Sequence, residues 1–457
     1  MAASLFLGQA AVAQQLPIPS PEPVPSPAAP LPAAGVIPAT LTLNVTGSPA
    51  DPAFLDQQIR NALNRAIRPT LRTAASISYG PFNPWPLYPL PAGARAAVNV
   101  TVRIAGDDTS APVTAITTVN LNNVILPAAA PTMLFLSDDP EYLLTEGLVY
   151  RGAVSASRPA RLYYYHSNIG LPRGLDVVLS AAATTRVQLI DSEAGPDQDV
   201  MAVGHTVTRE LLRAEQANVG TIVDVVPGRP FVLRHSLMLQ AEVVAGAVDV
   251  RVLDGGPVTV SLVGSPAGSR PEAFLDGARM PRDGHDRHGA FDLTGFGALT
   301  ATYTIGAESP AAVQYGGKDA TPRNLDPSDT GHDYGDYGIV HRITFTLVNP
   351  TDDPHNVFLY QKPLGGPVRG TFFVDGQLKE LGCVRLPQPY WITTYQLLPH
   401  STAASTTITM TDGGSFYPVE FGVTETRPLP YTPPVGSPDG CSPATTRAAQ
   451  PSRSRQQ

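Results

Sequence analysis

Charge is scarce in this chain. Only 15% of its 457 residues are charged, and just three of the 31 basic residues are lysines, at positions 318, 362 and 379. With a formal net charge of -8 and no block of Lys or Arg, it lacks the basic face that a nucleic-acid partner requires. Cysteine is nearly absent. Two residues frame neither a disulfide-stapled small fold nor an all-cysteine zinc site. Beyond the N-terminus no apolar run reaches the length of about 18 residues that spans a bilayer as a helix. No Gly-x-Ser-x-Gly elbow, phosphate-binding loop, dinucleotide fingerprint, His-Glu-x-x-His pair or EF-hand loop occurs. Those gaps argue against nucleic-acid binding and against the commonest hydrolases, kinases and dehydrogenases.

Proline and glycine, in contrast, are plentiful, at 48 and 40 residues, and 42% of the chain is hydrophobic. That is enough apolar material for a sizeable core, over a length that suits two or three domains.

Residues 1–13 form an apolar run ending Ala11-Val12-Ala13, small side chains that fit the narrow pockets of a signal peptidase. A positively charged start is missing, so the true start is expected upstream. Residues 14–40 carry proline at nearly every second position to Pro27, which removes backbone donors and fixes φ; an extended linker is expected. The tail, residues 427–457, is rich in Pro, Ser and Arg and is expected to be disordered. In an oxidising compartment Cys383 and Cys441 would pair and tie that tail to the last domain. Secretion to the periplasm or cell surface follows from this reading, and no cysteine near the N-terminus offers a lipid anchor.

Residues 41–131 read as a small α+β domain. Leu41, Leu43 and Val45 alternate with polar residues as a half-buried strand does. Asp51-Pro52 then supplies a helix N-cap and first turn, and Leu55, Ile59, Ala62, Leu63 and Ala66 share one helical face. Residues 132–269 and 291–426 each read as an antiparallel β-sandwich, with turn residues every 8 to 12 positions or so. A helix over 205–217 interrupts the first, and residues 270–290 link the two. The predicted fold class is therefore mainly β: two antiparallel sandwiches behind a small α+β domain, with Pro-rich disordered ends. Faint matches between the two sandwiches leave a duplication open.

Several polar or aromatic stretches could carry function. Phe82, Trp85 and Tyr88, spaced by prolines, would stack on sugar rings if exposed, or cover a small core if not. His285 and His288 could meet a divalent cation, with Asp283 or Asp286 as an oxygen ligand, but His-x-x-His alone is a weak signal in a polar linker. His332, Asp333, Tyr334, Asp336 and Tyr337 crowd one loop, which could form a sugar or cation site or pack its tyrosines onto a sheet edge. A third acidic loop, from Asp191 to Asp199, could hold Ca²⁺ through oxygen ligands, although its spacing fits no known calcium loop. His166 follows three tyrosines in a strand. No stretch pairs a nucleophile with a base, so no catalytic residue and no cofactor is assigned.

Three short runs, residues 162–168, residues 335–341 leading into 347–351, and residues 365–370, together resemble exported bacterial β-sandwich proteins built of domains of unknown function. The resemblance spans about residues 130 to 425 and implies export and sandwiches, with no catalytic residues to carry over. The expected function is a non-catalytic envelope protein with a structural, adhesive or ligand-binding role. Envelope polysaccharide or a surface protein is the expected partner, and the oligomeric state stays open. The alternative is a carbohydrate-active hydrolase working from the loop at 329–341, which would need two acids at a set separation in a pocket.

Overall fold

The computed structural model describes residues 31–69, 76–84, 87–318, 321–326, 329–385 and 387–431. Trp85, Cys441, residues 1–30 and the tail from 432 onward lie outside these residues. The protein is mainly β, as its alternating patterns predict.

Its largest sheet has twelve strands and crosses position 131, where the sequence pattern places its first boundary. The Thr40–Thr46 strand pairs in parallel with Val113–Asn123 on one side and antiparallel with Gly220–Val225 on the other. Further along the sheet, Ala160–Asn168 pairs in parallel with Met133–Ser137, which takes His288–Asp292 as its next neighbour. A strand from the expected linker thus extends this sheet. A four-stranded sheet of Phe231–Met238, Arg173–Ala181, Val258–Pro266 and Gly147–Val154 completes the first sandwich. Between the sheets lies a core of Val, Leu and aromatic side chains that includes Leu162, Tyr164, Val177, Val250 and Leu262.

The second sandwich has five strands over four. The five-stranded sheet runs Ala298–Thr304, Val340–Asn349, Ser401–Met410, Val368–Val374 and Gln377–Val384, the first two in parallel. Its partner holds Ala311–Tyr315, Val419–Thr424, His355–Pro363 and Tyr390–Leu397. Phe345, Phe372 and Phe421 pack as tilted ring pairs at its centre.

Two helices stand against the large sheet. Helix α1, Pro52–Ala66, begins as its sequence dictates: the Asp51 carboxylate accepts the Phe54 N–H at 2.9 Å, and Leu55, Ile59 and Leu63 face the core. Helix α2, Val200–Gln216, starts five residues before the hydrophobic pattern suggests, because Asp199 caps it by accepting the Ala202 N–H at 3.0 Å. It packs on the first sandwich and reaches the second, and so braces the junction between them.

Both Pro-rich ends begin inside the fold. Pro32 and Ala34 exchange backbone hydrogen bonds with Ala111, and Gly35–Val36 pairs with Arg68–Pro69. Leu429 bonds back to Pro389 and Trp391. The linker and tail expected at these positions are docked where they are described. No helix among the described residues is long and apolar enough to cross a membrane, which says nothing of a β-barrel.

Candidate functional site at the junction of the sandwiches

The Tyr/Asp/His loop at 329–341 is where the sequence concentrates its chemistry, and the fold drives it between the two sandwiches. Its residues divide by facing. His332 is exposed and stacks on Tyr334 at 4.8 Å between ring centres, with the Lys318 ammonium 5.2 Å from the Tyr334 ring. Asp333, Asp336 and Tyr337 turn inward, and the two aspartates are 0% and 2% exposed. Asp336 takes a positive φ of 53°, one of the few non-glycine residues to do so, which turns the chain back into the Val340–Asn349 strand.

Of the inward groups Tyr337 is tied to both halves, while the two aspartates bond their own loop and the second sandwich. Tyr337 stacks on Tyr163 of the first sandwich and donates its hydroxyl to the Ser415 carbonyl of the second at 2.8 Å. Asp333 accepts the Tyr337 N–H at 2.9 Å. Asp336 accepts the Gly316 N–H at 2.8 Å, and its carbonyl accepts the Thr411 hydroxyl. The Arg287 guanidinium stands 5.6 Å from the Tyr337 ring centre and donates to Asp138 at 2.5 Å. The His341 ring packs on Tyr315, with its Nε2 3.2 Å from Asp336 but outside hydrogen-bond geometry. One oxygen each of Asp138, Asp333, Asp336 and Asp412 and both nitrogens of His341 have no protein hydrogen-bond partner. Burial therefore holds Asp333 well above the usual carboxylate range and lifts Asp138 to about 7 against the pull of Arg287.

Two further contacts clamp the junction. His205 of α2 bonds Asp412 at 2.6 Å through Nδ1 and Glu380 at 3.0 Å through Nε2. Burial works against its charge, but Asp412 and Glu380 together raise it to about 9. Arg161, 1% exposed, forks onto Asp249 at 2.6 and 2.9 Å, reaches Glu215 of α2, and donates to the Gly338 carbonyl at 2.9 Å. Burial pushes the Glu215 carboxyl upward while Arg161 opposes it. Arg161 and Glu215 border a cleft of about 550 Å³ that also exposes Ile190, Phe296 and Arg342. Neither Asp333 nor Asp336 lines it. Neither Arg161 nor Glu215 stands out among the sequence candidates. The available signal is an arginine leading directly into the apolar and aromatic run Leu162 to Tyr165.

The other sequence candidates scatter. Phe82 is buried, not a sugar platform, because the Ile77–Asn83 strand turns it toward α1, where Arg60 stands over its ring at 5.0 Å. Tyr88 is 71% exposed, and Trp85 lies outside the described residues. His285 is half-exposed and pairs with Asp283 at 2.7 Å and Glu141 at 3.3 Å, which raise its affinity for protons against burial. His288 instead packs under Tyr150, and burial lowers it to about 4. Among the described residues no three His, Cys, Asp or Glu are grouped to hold a metal ion. In the acidic loop, Asp191 binds Arg234, Glu193 accepts the Ser236 hydroxyl, and Asp199 caps α2. His166 is fully buried between Ser137 at 3.1 Å and the Pro140 carbonyl at 2.8 Å, and burial lowers it to about 4. Cys383 lies on the Gln377–Val384 strand, while its expected partner Cys441 is outside the described residues.

No family model and no curated protein matches the chain. Among solved structures, Lac15 from a marine microbial metagenome is 11% identical, with 72% of each chain covered and a TM-score of 0.12. The PBSX exported protein XepA is 11% identical, covering 61% of this chain and 86% of its own, with a TM-score of 0.13. The tandem CBM22-1-CBM22-2 domain of Paenibacillus barcinonensis Xyn10C is 8% identical, covering 78% and 94%, with a TM-score of 0.12. At these scores the likenesses carry no argument about fold or function.

Proposed function

We propose that this chain is an exported, non-catalytic protein of the cell envelope whose two sandwiches are joined into one rigid body for a structural or adhesive role. The observation that carries the reading is the fate of the loop at 329–341. Its acids Asp333 and Asp336 are sealed inside the junction, and Tyr337 spends its contacts on both halves. A hydrolase working from this loop would need Asp333 or Asp336 in water and facing a sugar. Here both are buried, Asp333 on the Tyr337 N–H of its own loop and Asp336 on the Gly316 N–H. Export rests on the small-residue run ending at Ala13, and a Cys383–Cys441 bridge would suit that compartment. The tail is anchored at Leu429, twelve residues before Cys441, so its reach is ample for such a bridge.

Incubating the full mature chain with isolated envelope polysaccharide tests both readings together. The expected result is that no reducing ends are released, whether or not the protein is retained on the glycan. Release of sugar that is lost in Asp333→Asn would overturn the non-catalytic reading. Alkylation before and after reduction tests the bridge, with both thiols expected to react only after reduction.

A further inference from the structure

Five aliphatic side chains stand in water at one end of the first sandwich. Leu171 is 81% exposed, Leu144 63%, Leu239 51%, Leu237 48% and Ile169 44%. They come from separate parts of the chain, yet their backbones meet in one hydrogen-bonded knot. Asn168 lies opposite Leu143 in a parallel pairing, so Leu144 and Ile169 leave neighbouring strands side by side. The Asn168 amide donates to the Leu171 and Met238 carbonyls, each at 3.0 Å, and its oxygen accepts from Gly170 and Arg173. Arg173 in turn donates to the Leu144 carbonyl at 2.9 Å and to that of Thr145. Leu237 pairs with Gly174, the residue after Arg173. Asn168 and Arg173 are buried while the five side chains they organise are not. The 168–173 connection has the turn residues Gly170 and Pro172, yet it and its neighbours hold leucines outward on a rigid polar base.

We infer that this end of the sandwich docks on a lipid bilayer with zwitterionic headgroups. The tips are branched aliphatics without a hydrogen-bonding group, which suits a fluid acyl boundary better than a shaped protein pocket. Their combined exposed area is on the order of 500 Å², short of the roughly 800 Å² per partner that a stable protein interface buries. Charge selects the kind of lipid. Glu146 lies two residues from Leu144, and Glu242 accepts the Leu239 N–H at 2.6 Å. Arg270, on the turn that follows the Val258–Pro266 strand, and Arg279, whose backbone bridges to Leu148, are exposed cations nearby, so the rim carries both signs without an excess of positive charge. The three lysines are all in the second sandwich or its approach. Such a rim does not attract an anionic surface, whereas the outermost group of a choline or ethanolamine headgroup is a cation that carboxylates can meet. A second copy seated tip to tip would place the same glutamates against each other.

The inference needs only a bilayer within reach, so its failure would leave the glycan experiment above untouched. The test is sedimentation of the full chain with vesicles of phosphatidylcholine and phosphatidylethanolamine, and with a set in which part of the lipid is phosphatidylglycerol. The protein is expected to sediment with the first set and less with the second. Leu144→Ser combined with Leu171→Ser should lower partitioning by about tenfold or more at an unchanged melting temperature. Glu146→Gln should narrow the difference between the two lipid sets. The inference falls if no vesicle binds the protein, if phosphatidylglycerol strengthens binding, or if the double variant sediments like the parent. It also falls if ultracentrifugation finds a dimer that the double variant abolishes, since the patch would then be a contact between copies.

Discussion

The junction between the sandwiches and the tip of the first sandwich are opposites. At the junction, ionisable side chains are buried; at the tip, leucines are exposed around a buried Asn–Arg knot. Both depart from the ordinary partition, but they teach different things. A buried charge survives only with partners, so the acids of the junction point to what the protein holds together. An exposed leucine has no such requirement. A rigid group of them is informative because nothing inside the fold explains it. Substitutions that sharpen this contrast should rank from the core of the junction outward.

The largest effect is expected at Arg161. Arg161→Met keeps the apolar stem but leaves Asp249 and Glu215 facing each other without a cation, and it frees the Gly338 carbonyl. Breaking one side of a buried charged group typically costs about 3–5 kcal/mol. Chemical denaturation should show that loss. A triple replacement that also removes both acids should recover part of it.

Close packing gives the next prediction. A methyl group added to Gly204 of α2 would sit 2.0 Å from the Gly413 carbonyl oxygen of the second sandwich. The obstacle is backbone, so the helix must retreat. Gly204→Ala would gain helix propensity in isolation, yet it should destabilise the protein by about 1–3 kcal/mol through the overpacked junction. Retained stability in this variant would mean the halves are less tightly seated than the structure has them.

Smaller again is the dependence on pH. His205 is raised to about 9, so in the folded protein it keeps its proton where an ordinary histidine has lost it. Its contribution is complete below about pH 6.5 and fades as the pH climbs toward 9. Asp138, raised to about 7, acts in the same direction, since folding holds a proton that the unfolded chain would release. Glu215 and Asp333 are also raised and add to this slope. His166 and His288, lowered to about 4, give the reverse slope, but only between about pH 4 and 6.5, where unfolding takes up protons. The groups thus offset one another in acid and act together above it. The melting temperature should fall between pH 6.5 and 9, and His205→Gln should flatten that fall. A melting temperature that rises over this range would contradict the partners assigned to His205.

Much of the fold was legible in local pattern. The alternation in 41–45, the Asp51-Pro52 start of α1 and the strands of both sandwiches follow from side-chain periods of two and 3.6. What pattern could not supply was pairing between distant segments. Nothing near Thr40 or His288 indicates that both belong to one sheet, because strand neighbours are chosen by long-range packing. The candidate site was half legible for the same reason. Composition marked the loop at 329–341, but its facing depends on Tyr163 and Ser415, which lie far away in sequence. Asp199 shows the converse error: an acid that looks like a cation ligand is spent as a helix cap. The exposed tip could not have been read at all, since Leu144, Leu171 and Leu239 come together only through the hydrogen bonds of Asn168 and Arg173.

The smallest effect on stability should come from the tip, and its smallness is the point. Leu171 is 81% exposed, so Leu171→Ser removes little buried surface and should change unfolding free energy by no more than about 0.5 kcal/mol. Asn168→Ala, three residues away, removes donors to two carbonyls from a fully buried position and should cost about 1–3 kcal/mol. If Leu171→Ser proved as costly as Asn168→Ala, the leucine would be packed against something in solution, and the tip would belong with the interior after all. If neither mattered, the knot would not be holding the loops. A neutral tip over a costly knot separates a surface kept for an external contact from one that merely completes the fold.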